Sequence, residues 1–416
     1  MEIKKGYKMT DVGVIPEDWE VKSIGEIAKT TSGGTPSRED DSLYIGKNRW
    51  FTTSELNDGY IYDSIEHISD EAIKITTARI VPANSILMAM YGATIGKLAI
   101  ITKESSTNQA CCAIMVNSDI VMKYVFYNLL FLRQNIIELG VGAGQPNISQ
   151  SIVRSIHISI PSKKEQQAIA DALTKVDNLI MSLSKVIEKK KLIKKGAMQK
   201  LLSGEMRLDG FDMEWERKQI GKIGITYGGI TGKNKSDFGH GTAKYITFLN
   251  VLNNPIINTK ELELVDISSN ENQNKAVKGD LFFNVSSETP EEVGICSVLL
   301  DDINNLYVNS FCFGFRITDK EVSGIYLSYL FRTSLGRDKM SSIAQGATRY
   351  NLSKDYFNEI ELTIPPTKAE QTAIADILTT MDNEIEALEK ERDKYKCIKQ
   401  GMMQQLLTGK IRLICQ

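Results

Sequence analysis

The sequence has no long apolar run and no excess of one charge, and each absence excludes a class of protein. No apolar stretch among its 416 residues approaches the roughly 18 residues that a transmembrane helix needs. Residues 1–5 (MEIKK) lack the apolar segment of a signal peptide, so we expect a cytoplasmic protein with no membrane partner. Fifty Lys and Arg against 52 Asp and Glu give a net charge of -2, which exerts no global attraction for nucleic acid.

Residue types that carry catalysis are scarce. Only three histidines occur, His67, His157 and His240, without an HExxH motif, so neither a zinc hydrolase nor a Ser-His-Asp triad is expected. The six cysteines form no CxxC pair and favour buried, reduced thiols over a metal site. The glycine turns at 92–97 (GATIGK) and 228–233 (GGITGK) lack the GxxxxGK[ST] spacing of a phosphate-binding loop. We therefore expect no catalytic and no metal-ligating residues.

What the sequence does contain is a duplication with a period of about 205 residues. Residues 165–171 (EQQAIAD) recur as 370–376 (EQTAIAD), and residues 196–204 (GAMQKLLSG) recur as 401–409 (GMMQQLLTG). Two dipeptides also recur, at an offset of 196: Trp19-Glu20 as Trp215-Glu216, and Ile24-Gly25 as Ile220-Gly221. A period this long indicates domain-sized units and not a solenoid. Residues 38–140 and 234–344 share almost no identity, so a common frame carries two unlike inserts.

A narrow apolar stripe follows each repeated segment, in alternating steps of three and four residues that predict a long coiled-coil helix. The first stripe is Ile169, Ala172, Val176, Leu179, Leu183, Val186, Ile193 and Ala197; the second is Ile374, Leu378, Met381, Ile385, Leu388, Tyr395, Ile398, Met402 and Leu406. Pro161 and Pro365 precede the helices, and Gly204 and Gly409 stand near their ends. About 40 residues make each helix roughly 60 Å long. We expect the two helices to form an antiparallel coiled coil; the alternative is that each folds back on its own domain.

Short β-branched runs bounded by Gly, Pro, Asn or Ser predict strands in both halves. They are residues 85–90, 98–102 and 156–160 in the first half, and 244–248, 280–284, 296–300 and 360–364 in the second. The predicted fold class is α+β: two mixed α/β domains separated by two long helices in an antiparallel coiled coil, with an internal pseudo-twofold duplication. The predicted boundaries are 1–160 for the first domain, 161–208 for the central helix, 209–365 for the second domain and 366–416 for the distal helix.

Several further motifs keep a fixed order along the chain. They are the Trp-Glu and Ile-Gly pairs, the turn at 32–36 (SGGTP), the turn at 92–97 with 107–109 (TNQ), the stretches at Asn147 and Asn351, the Glu-Gln-x-Ala-Ile-Ala helices and the Leu-Leu-Ser/Thr-Gly ends. Together they resemble the specificity (S) subunit of type I restriction-modification systems. The resemblance covers essentially the whole chain.

The resemblance implies a noncatalytic subunit whose two target recognition domains each read one half of a bipartite, asymmetric site in double-stranded DNA. Two adenine methyltransferase (M) subunits dock on such a subunit, and restriction (R) subunits join in a restricting enzyme; whether this chain has an R partner stays open. No cofactor is expected in this chain, because S-adenosylmethionine, and ATP and Mg with an R subunit, bind to the partners. The alternative is a noncatalytic coiled-coil adaptor without sequence-specific DNA readout.

For base readout the resemblance directs attention to polar and aromatic loop residues, since Arg or Lys can read guanine and Asn or Gln adenine. In the first domain the candidates are Ser32, Thr35, Ser37, Lys47, Asn48, Tyr91, Lys97, Asn108, Gln109 and Gln145. In the second they are Tyr227, Thr231, Lys233, Asn234, Lys235, Ser286, Ser287, Gln345, Arg349 and Tyr350. For any one of them, an ordinary turn residue is the alternative.

The repeated helix residues are the candidates for docking two identical M subunits. They are Glu165, Gln166, Met198, Leu201, Leu202, Glu370, Gln371, Met402, Met403, Leu406 and Leu407. The alternative is that the apolar members only serve the helix seam. Residues 163–207 carry a net charge of +6 and residues 367–413 are balanced, which leaves about -8 for the remainder. We therefore expect weak DNA binding by the isolated chain, with M subunits supplying much of the backbone contact.

Overall fold

The structure is a computed structural model that describes residues 4–140, 147–268 and 270–413. The chain divides into two compact units, Met1–Ser184 with Lys390–Gln416, and Lys185–Glu389. Each unit therefore contains a set of strands and a segment of both long helices. The predicted division at residues 160, 208 and 365 stays a prediction. In the described ranges, no helix is both long and apolar enough to cross a membrane.

The first unit is built from short strands and helices. Its strands are β1 (Tyr7–Thr10), β2 (Gly13–Pro16), β3 (Glu20–Ser23), β4 (Ala28–Ser32), β5 (Asn48–Phe51), β6 (Tyr60–Ile61), β7 (Glu66–Ile68), β8 (Ile86–Ala89), β9 (Leu98–Ile101), β10 (Ser106–Thr107), β11 (Cys111–Val116) and β12 (His157–Ile160). Its helices are α1 (Ile24–Ile27), α2 (Asp70–Ile75), α3 (Met122–Phe131), α4 (Arg133–Glu138), α5 (Gln150–Ser155) and the start of α6 (Lys163–Ser203). Single 3-10 turns lie at Asp41–Tyr44, Thr53–Glu55 and Gly92–Thr94.

The second unit repeats this plan. Its strands are β13 (Glu216–Gln219), β14 (Gly224–Gly228), β15 (Phe238–Ile246), β16 (Glu263–Val265), β17 (Leu281–Asn284), β18 (Ser286–Ser287), β19 (Cys296–Val298), β20 (Leu306–Val308), β21 (Cys312–Ile317), β22 (Ala344–Gln345), β23 (Tyr350–Leu352) and β24 (Glu361–Ile364). Its helices are α7 (Ile220–Ile223), α8 (Phe248–Asn253), α9 (Gly324–Leu330), α10 (Ser334–Ser342), α11 (Lys354–Glu359) and the start of α12 (Lys368–Leu406), with 3-10 turns at Lys235–Asp237 and Thr259–Glu261.

Each unit has one main sheet, ordered β4-β11-β8-β9-β6 in the first unit and β14-β21-β17-β19 in the second. In the first sheet β11 runs antiparallel to both β4 and β8, with Cys112 opposite Ser32 and Cys111 opposite Ala89. In the second, β21 is likewise antiparallel to β14 and β17, with Cys312 opposite Asn284. The last residues of β4 and β8 and the first residues of β11 therefore lie together at one end of the first sheet. β14, β17 and β21 repeat this arrangement in the second sheet. We call this end the turn end of each sheet.

A smaller sheet accompanies each main sheet. It has the order β10-β5-β7 in the first unit and β16-β15-β20 in the second. In both, the strand that leads into β11 or β21 pairs parallel with its neighbour, β10 with β5 and β20 with β15. The second unit also has the sheet β18-β23-β22. The mixed strands and helices confirm the predicted α+β class.

Both long helices contribute to the core of each unit. In the first unit, Ile169 and Leu173 of α6 and Leu406 of α12 join the core that contains Trp19. In the second unit the core includes Leu201 and Leu202 of α6 together with Ile374 and Leu378 of α12. Phe283 there stacks on Phe313 at 5.2 Å and meets Phe357 edge-on at 4.9 Å. Each helix is thus held by burial of its ends in domain cores as well as by the other helix.

Within each unit the two helix segments run antiparallel, as predicted. In the second unit, Lys190 lies 2.6 Å from Glu384, and Lys194 pairs with Asp382 further back along α12. Residue numbers rise along α6 while those of the paired residues fall along α12, so the two helix segments are antiparallel. In the first unit the corresponding bond joins Lys399 to Asp177 at 2.6 Å.

The predicted seam of α6 was wrong at several positions. Leu179, Val186 and Ile193 are 37%, 43% and 52% exposed, whereas Ile187 is fully buried. In α12, Ile398 is 39% exposed. Apolar residues also stand one position after several members of the predicted stripe of α6: Ala170, Leu173, Ile180 and Ile187. The spacing alone therefore could not decide which residues face inward.

Candidate nucleic-acid interface

A glycine turn leaves the turn end of each main sheet. A Cβ on Gly33 would lie 1.8 Å from the carbonyl oxygen of Thr107, and one on Gly229 would lie 2.1 Å from that of Asn309. No side chain fits either space, so both positions need glycine for close approach of two backbones. The two turns are structurally equivalent, although their flanking sequences differ.

A second turn, which we call the asparagine turn, leads into β11 and β21. Asn108 Oδ1 accepts a hydrogen bond from the amide of Ala110 at 3.1 Å, and Asn309 Oδ1 accepts one from the amide of Phe311 at 2.8 Å. The same bond in both units makes Asn108 and Asn309 equivalent. The carboxamide oxygen of Asn108 stabilises the turn. Asn108 therefore shapes the loop on which the Gln109 side chain is exposed.

The two asparagine stretches identified in the sequence return to the turn end. Asn147 bridges antiparallel to Tyr91, and Asn351 pairs with Ser286. Tyr91 and Ser286 are therefore equivalent positions, two residues beyond β8 and β17. Tyr91 is 41% exposed, whereas Ser286 is nearly buried.

In the first unit, most candidate reading residues lie around the turn end. Thr35 Oγ1 donates to Gln109 Oε1, and Ser32 Oγ donates to Gln150 Oε1 at 3.0 Å. Lys97 is exposed, and its carbonyl oxygen accepts a hydrogen bond from the amide of Ala89, the last residue of β8, at 2.9 Å. Ser37 is exposed in the loop that follows the glycine turn. Gln145 lies outside the described residues.

Two candidates of the first unit are placed elsewhere. Asn48 stands at the far end of β5, where its Nδ2 donates to Asp70 Oδ1 at 2.8 Å and to the carbonyl of Ile68 at 3.1 Å. Lys47 is 3.9 Å from the same Asp70 carboxylate. The structure does not bring Lys47 and Asn48 to the turn end, and their role in DNA contact stays a prediction.

In the second unit, several candidates share the sheet β18-β23-β22. Ser287 pairs with Tyr350, and Gln345 pairs with Asn351. Arg349 is exposed beside Tyr350. The remaining exposed candidates lie in the loop after the glycine turn; they are Thr231, Asn234 and Lys235.

Tyr227 and Lys233 are engaged inside the second unit. The Tyr227 hydroxyl donates to Asp280 Oδ2 at 2.6 Å, and burial together with this carboxylate raises the pKa of Tyr227. Lys233 Nζ lies 2.6 Å from Glu271 Oε1. This hydrogen bond lowers the pKa of Glu271 to about 2 and raises that of Lys233. Neither side chain is free to contact DNA in this arrangement.

The first Glu-Gln pair, predicted to dock a partner, holds the first unit together. Glu165 is 2% exposed and accepts from Trp19 Nε1 at 3.2 Å and from Arg412 at 2.7 and 2.8 Å. Arg412 also donates to Asp18 at 2.9 and 2.7 Å. Gln166 accepts from the amide of Val121 at 2.9 Å. The chain end after α12 is thereby fixed to the first unit.

The second Glu-Gln pair repeats these contacts. Glu370 is 1% exposed and accepts from Trp215 Nε1 at 3.2 Å and from Arg207 at 2.8 and 3.1 Å. Gln371 accepts from the amide of Ser323 at 2.8 Å. The repeated sequence is thus explained by an internal contact made twice, once in each unit.

The apolar docking candidates lie largely in the cores. The buried ones, at 1% to 7% exposure, are Leu201, Leu202, Met403, Leu406 and Leu407. Met198 and Met402 are half-buried. Burial in the helix seam and domain cores accounts for their recurrence, and a role in docking stays a prediction.

Equivalent clefts nevertheless open beside the helices in the two units. In the second unit a cavity of about 750 Å³ is lined by Lys194, Met198 and Arg332, among others. In the first unit a cavity of about 520 Å³ is lined by Lys399, Met403 and Arg133. Lys399 and Met403 stand 205 residues after Lys194 and Met198, which is the period of the duplication. Each unit thus offers a similar concave surface.

The described part of the chain contains no group of three or more His, Cys, Asp or Glu arranged to hold a metal ion. Cys111, Cys112, Cys296 and Cys312 are buried free thiols, as expected, and Cys397 is exposed. Burial raises the pKa of Cys111 and Cys112 to about 12, so both remain protonated.

Sequence reasoning missed Phe311, which is 57% exposed on the asparagine turn of the second unit. Ala110 holds the equivalent position in the first unit. The signal was present as Asn-x-x-Cys, at 108–111 (NQAC) and 309–312 (NSFC), but two fixed residues in four were too few to mark a repeat.

Comparisons with known proteins agree with this architecture. The family model "Type I restriction modification DNA specificity domain" matches residues 16–194 and again residues 213–394. The type I restriction enzyme MjaVIII specificity subunit of Methanocaldococcus jannaschii is 28% identical over 431 residues, which cover 96% of this chain and 94% of that protein. The S subunit of a type I restriction-modification system from M. genitalium has a TM-score of 0.61 at 17% identity, covering 98% of each chain. A chain from work on complex assembly and conformational transition of the type I R-M system has a TM-score of 0.58 at 16% identity, covering 95% of this chain and 99% of that one.

The two matches of the family model fall on the two repeats, so each half carries one DNA specificity domain. The solved structures confirm the fold. Specificity subunits are noncatalytic, and the prediction that this chain is not an enzyme is confirmed by the family match. The chain belongs to the type I restriction-modification DNA specificity family and is a specificity subunit with two recognition domains.

Proposed function

We propose that the turn end of each main sheet reads one half of a bipartite, asymmetric DNA site. The observation that carries this proposal is that equivalent turns present unlike side chains. The asparagine turn offers Gln109 and Ala110 in the first unit and Ser310 and Phe311 in the second. An identical scaffold with different exposed groups is what two different half-sites require.

The chemistry of the exposed groups suits base edges. The carboxamide of Gln109 can form paired hydrogen bonds with adenine N6 and N7, and Arg349 can do the same with guanine O6 and N7. Gln109 already accepts a hydrogen bond from Thr35, which restricts its rotation. Restricting a side chain before binding reduces the entropy that binding costs.

The charge distribution indicates that the chain does not hold DNA alone. The residues outside 163–207 and 367–413 carry a net charge of about -8. DNA affinity depends largely on neutralising phosphates, so the isolated subunit binds weakly. Partner subunits supply much of the phosphate contact. Because each phosphate contact releases counterions, DNA binding by the complex weakens steeply as the salt concentration rises.

Two methyltransferase subunits are the partners that the duplication suits. One of the structural relatives was solved in a study of how the type I R-M complex assembles. The equivalent clefts at Met198 and Met403 offer the same type of docking surface once in each unit. S-adenosylmethionine binds to these partners in the cytoplasm, and ATP and Mg bind to an R subunit where one joins.

The long helices set the unread gap between the half-sites. With 41 residues at 1.5 Å each, α6 is roughly 60 Å long. Domains that enter the major groove on one face of DNA need a separation of about one helical turn, near 34 Å, or a multiple. The length of α6 is of the order that such a separation needs.

The experiment that tests this function exchanges residues 15–160 for the matching segment of a relative with a different DNA site. The hybrid is produced with its methyltransferase partner, and the methylated sequence is read. We expect one half of the site to change to that of the relative while the other half and the gap stay the same. Normal complex assembly with an unchanged site would contradict the proposal.

A further inference from the structure

We propose that Phe311 is a specificity-determining residue of the second domain, which covers the C5-methyl group of a thymine in its half-site. The inference rests on the proposed function and names the chemistry of one contact within it. It arises from an exposed aromatic ring on a tightly held turn.

Both backbone polar groups of Phe311 are hydrogen bonded. Its amide donates to Asn309 Oδ1 at 2.8 Å, and its carbonyl accepts from the amide of Val285 at 2.9 Å. Asn309 is 6% exposed, and its Nδ2 donates to the carbonyl of Ile246 at 3.0 Å. The turn is thus fixed to the end of β17 in the main sheet and to β15 in the smaller sheet, while the Phe311 side chain is 57% exposed.

The fold itself does not require this ring. In the first unit the amide of Ala110 makes the matching bond to Asn108 Oδ1, and its carbonyl accepts from the amide of Met90 at 2.8 Å. The same turn is therefore formed with a methyl side chain. A single exposed apolar side chain is common on protein surfaces and is not by itself evidence of a partner. Phe311 is singled out by its place, since it lies at the end of the sheet that is proposed to read DNA, on a turn that does not need it.

The place of Phe311 makes a DNA base the partner that the proposed function supplies. Val285, whose amide binds the Phe311 carbonyl, directly precedes Ser286, which pairs with Asn351. The ring thus belongs to the turn end, equivalent to the position beside Gln109. In the major groove the group that an apolar side chain recognises is the C5-methyl of thymine. Covering one methyl group with apolar surface strengthens binding about fourfold.

The test uses the chain assembled with its methyltransferase subunits and synthetic duplexes that contain its site. Each thymine of the second half-site is replaced in turn by deoxyuridine, which lacks only the methyl group. We expect one replacement to weaken binding by the unaltered complex about fourfold, and to have no effect on the Phe311→Ala complex. Ile225→Ala is the matched control, because Ile225 is 58% exposed on β14 but pairs with Arg316, away from the turn end.

Two results overturn the inference without affecting the proposed function. In the first, the unaltered complex binds its site specifically but no deoxyuridine replacement weakens it. In the second, Phe311→Ala and the unaltered complex lose the same affinity on replacement. If the unaltered complex shows no preference for any sequence, the proposed function fails as well. Because Phe311 is exposed and Ala occupies the equivalent turn, the variant is expected to fold normally.

Discussion

Replacing Glu165 with alanine should destabilise the first unit selectively. The substitution removes the acceptor for Trp19 Nε1 and two hydrogen bonds from Arg412. Trp19 is fully buried, so its indole N–H is left without a partner, at a cost of about 1–3 kcal/mol. Arg412 keeps its bonds to Asp18, which limits the further loss to about 1 kcal/mol. We expect the free energy of unfolding of the first unit to fall by about 3 kcal/mol in total.

Hydrogen–deuterium exchange with mass spectrometry can measure this loss unit by unit, which a single unfolding curve of a two-unit chain cannot. A fall of about 3 kcal/mol corresponds to roughly a hundredfold loss of protection in β3 and β12. Asp171→Ala is the matched control, because Asp171 is an exposed carboxylate on the same helix. Equal protection in the Glu165 and Asp171 variants would refute the structural role of Glu165. An equal loss in both units would refute its local character.

The remaining predictions concern the second unit, the reading loops and the gap. Glu370→Ala should destabilise the second unit by less, about 1–2 kcal/mol, because Trp215 is only half-buried; exchange in β13 and β24 measures it. Gln109→Ala should relax one base of the first half-site by about 1–3 kcal/mol, measured by competition with single-base variants, and should leave the second half-site unaffected. Glu271→Gln should release Lys233 to contact a phosphate and steepen the dependence of log K on log salt by about 0.9; an unchanged slope would contradict a phosphate contact by Lys233. One extra turn in both long helices, about 5.4 Å, should lengthen the unread gap by one or two base pairs in the methylated sequence, and an unchanged gap would contradict a spacer role.

Much of the frame was predictable because the chain repeats it. The recurring Glu-Gln segments gave the positions of α6 and α12, and the helix-ending glycines have the positive φ expected of them, +76° at Gly204 and +68° at Gly409. The antiparallel course was also predicted correctly within each unit. The seam was not, because apolar residues also stand one position after several members of the predicted stripe of α6.

The role of the repeated Glu-Gln pairs was less accessible, because it depends on residues far away in the sequence. Glu165 meets Arg412, which is 247 residues further along the chain. The pair suggested docking because it is repeated within the chain, whereas the structure buries it. The repeated Trp and Arg were visible in the sequence, but nothing in their spacing joined them to the glutamate.

The candidate reading residues stay predictions, and the structure shows only which of their side chains are available. Gln109 and Arg349 are exposed as expected. Tyr227 and Lys233 are occupied by Asp280 and Glu271, which lie 53 and 38 residues away, so their partners could not be inferred locally. Phe311 was not among the candidates, because an isolated Phe before a buried strand is typical of core.

The measurement that most directly tests the account is single-molecule methylome sequencing of a host that carries this chain with its methyltransferase partner. The same host lacking only this chain is the comparison. We expect one gapped, two-part adenine methylation motif to be present in the first host and lost in the second. An unchanged methylome, with the partner shown to be expressed and active, would contradict sequence recognition by this chain.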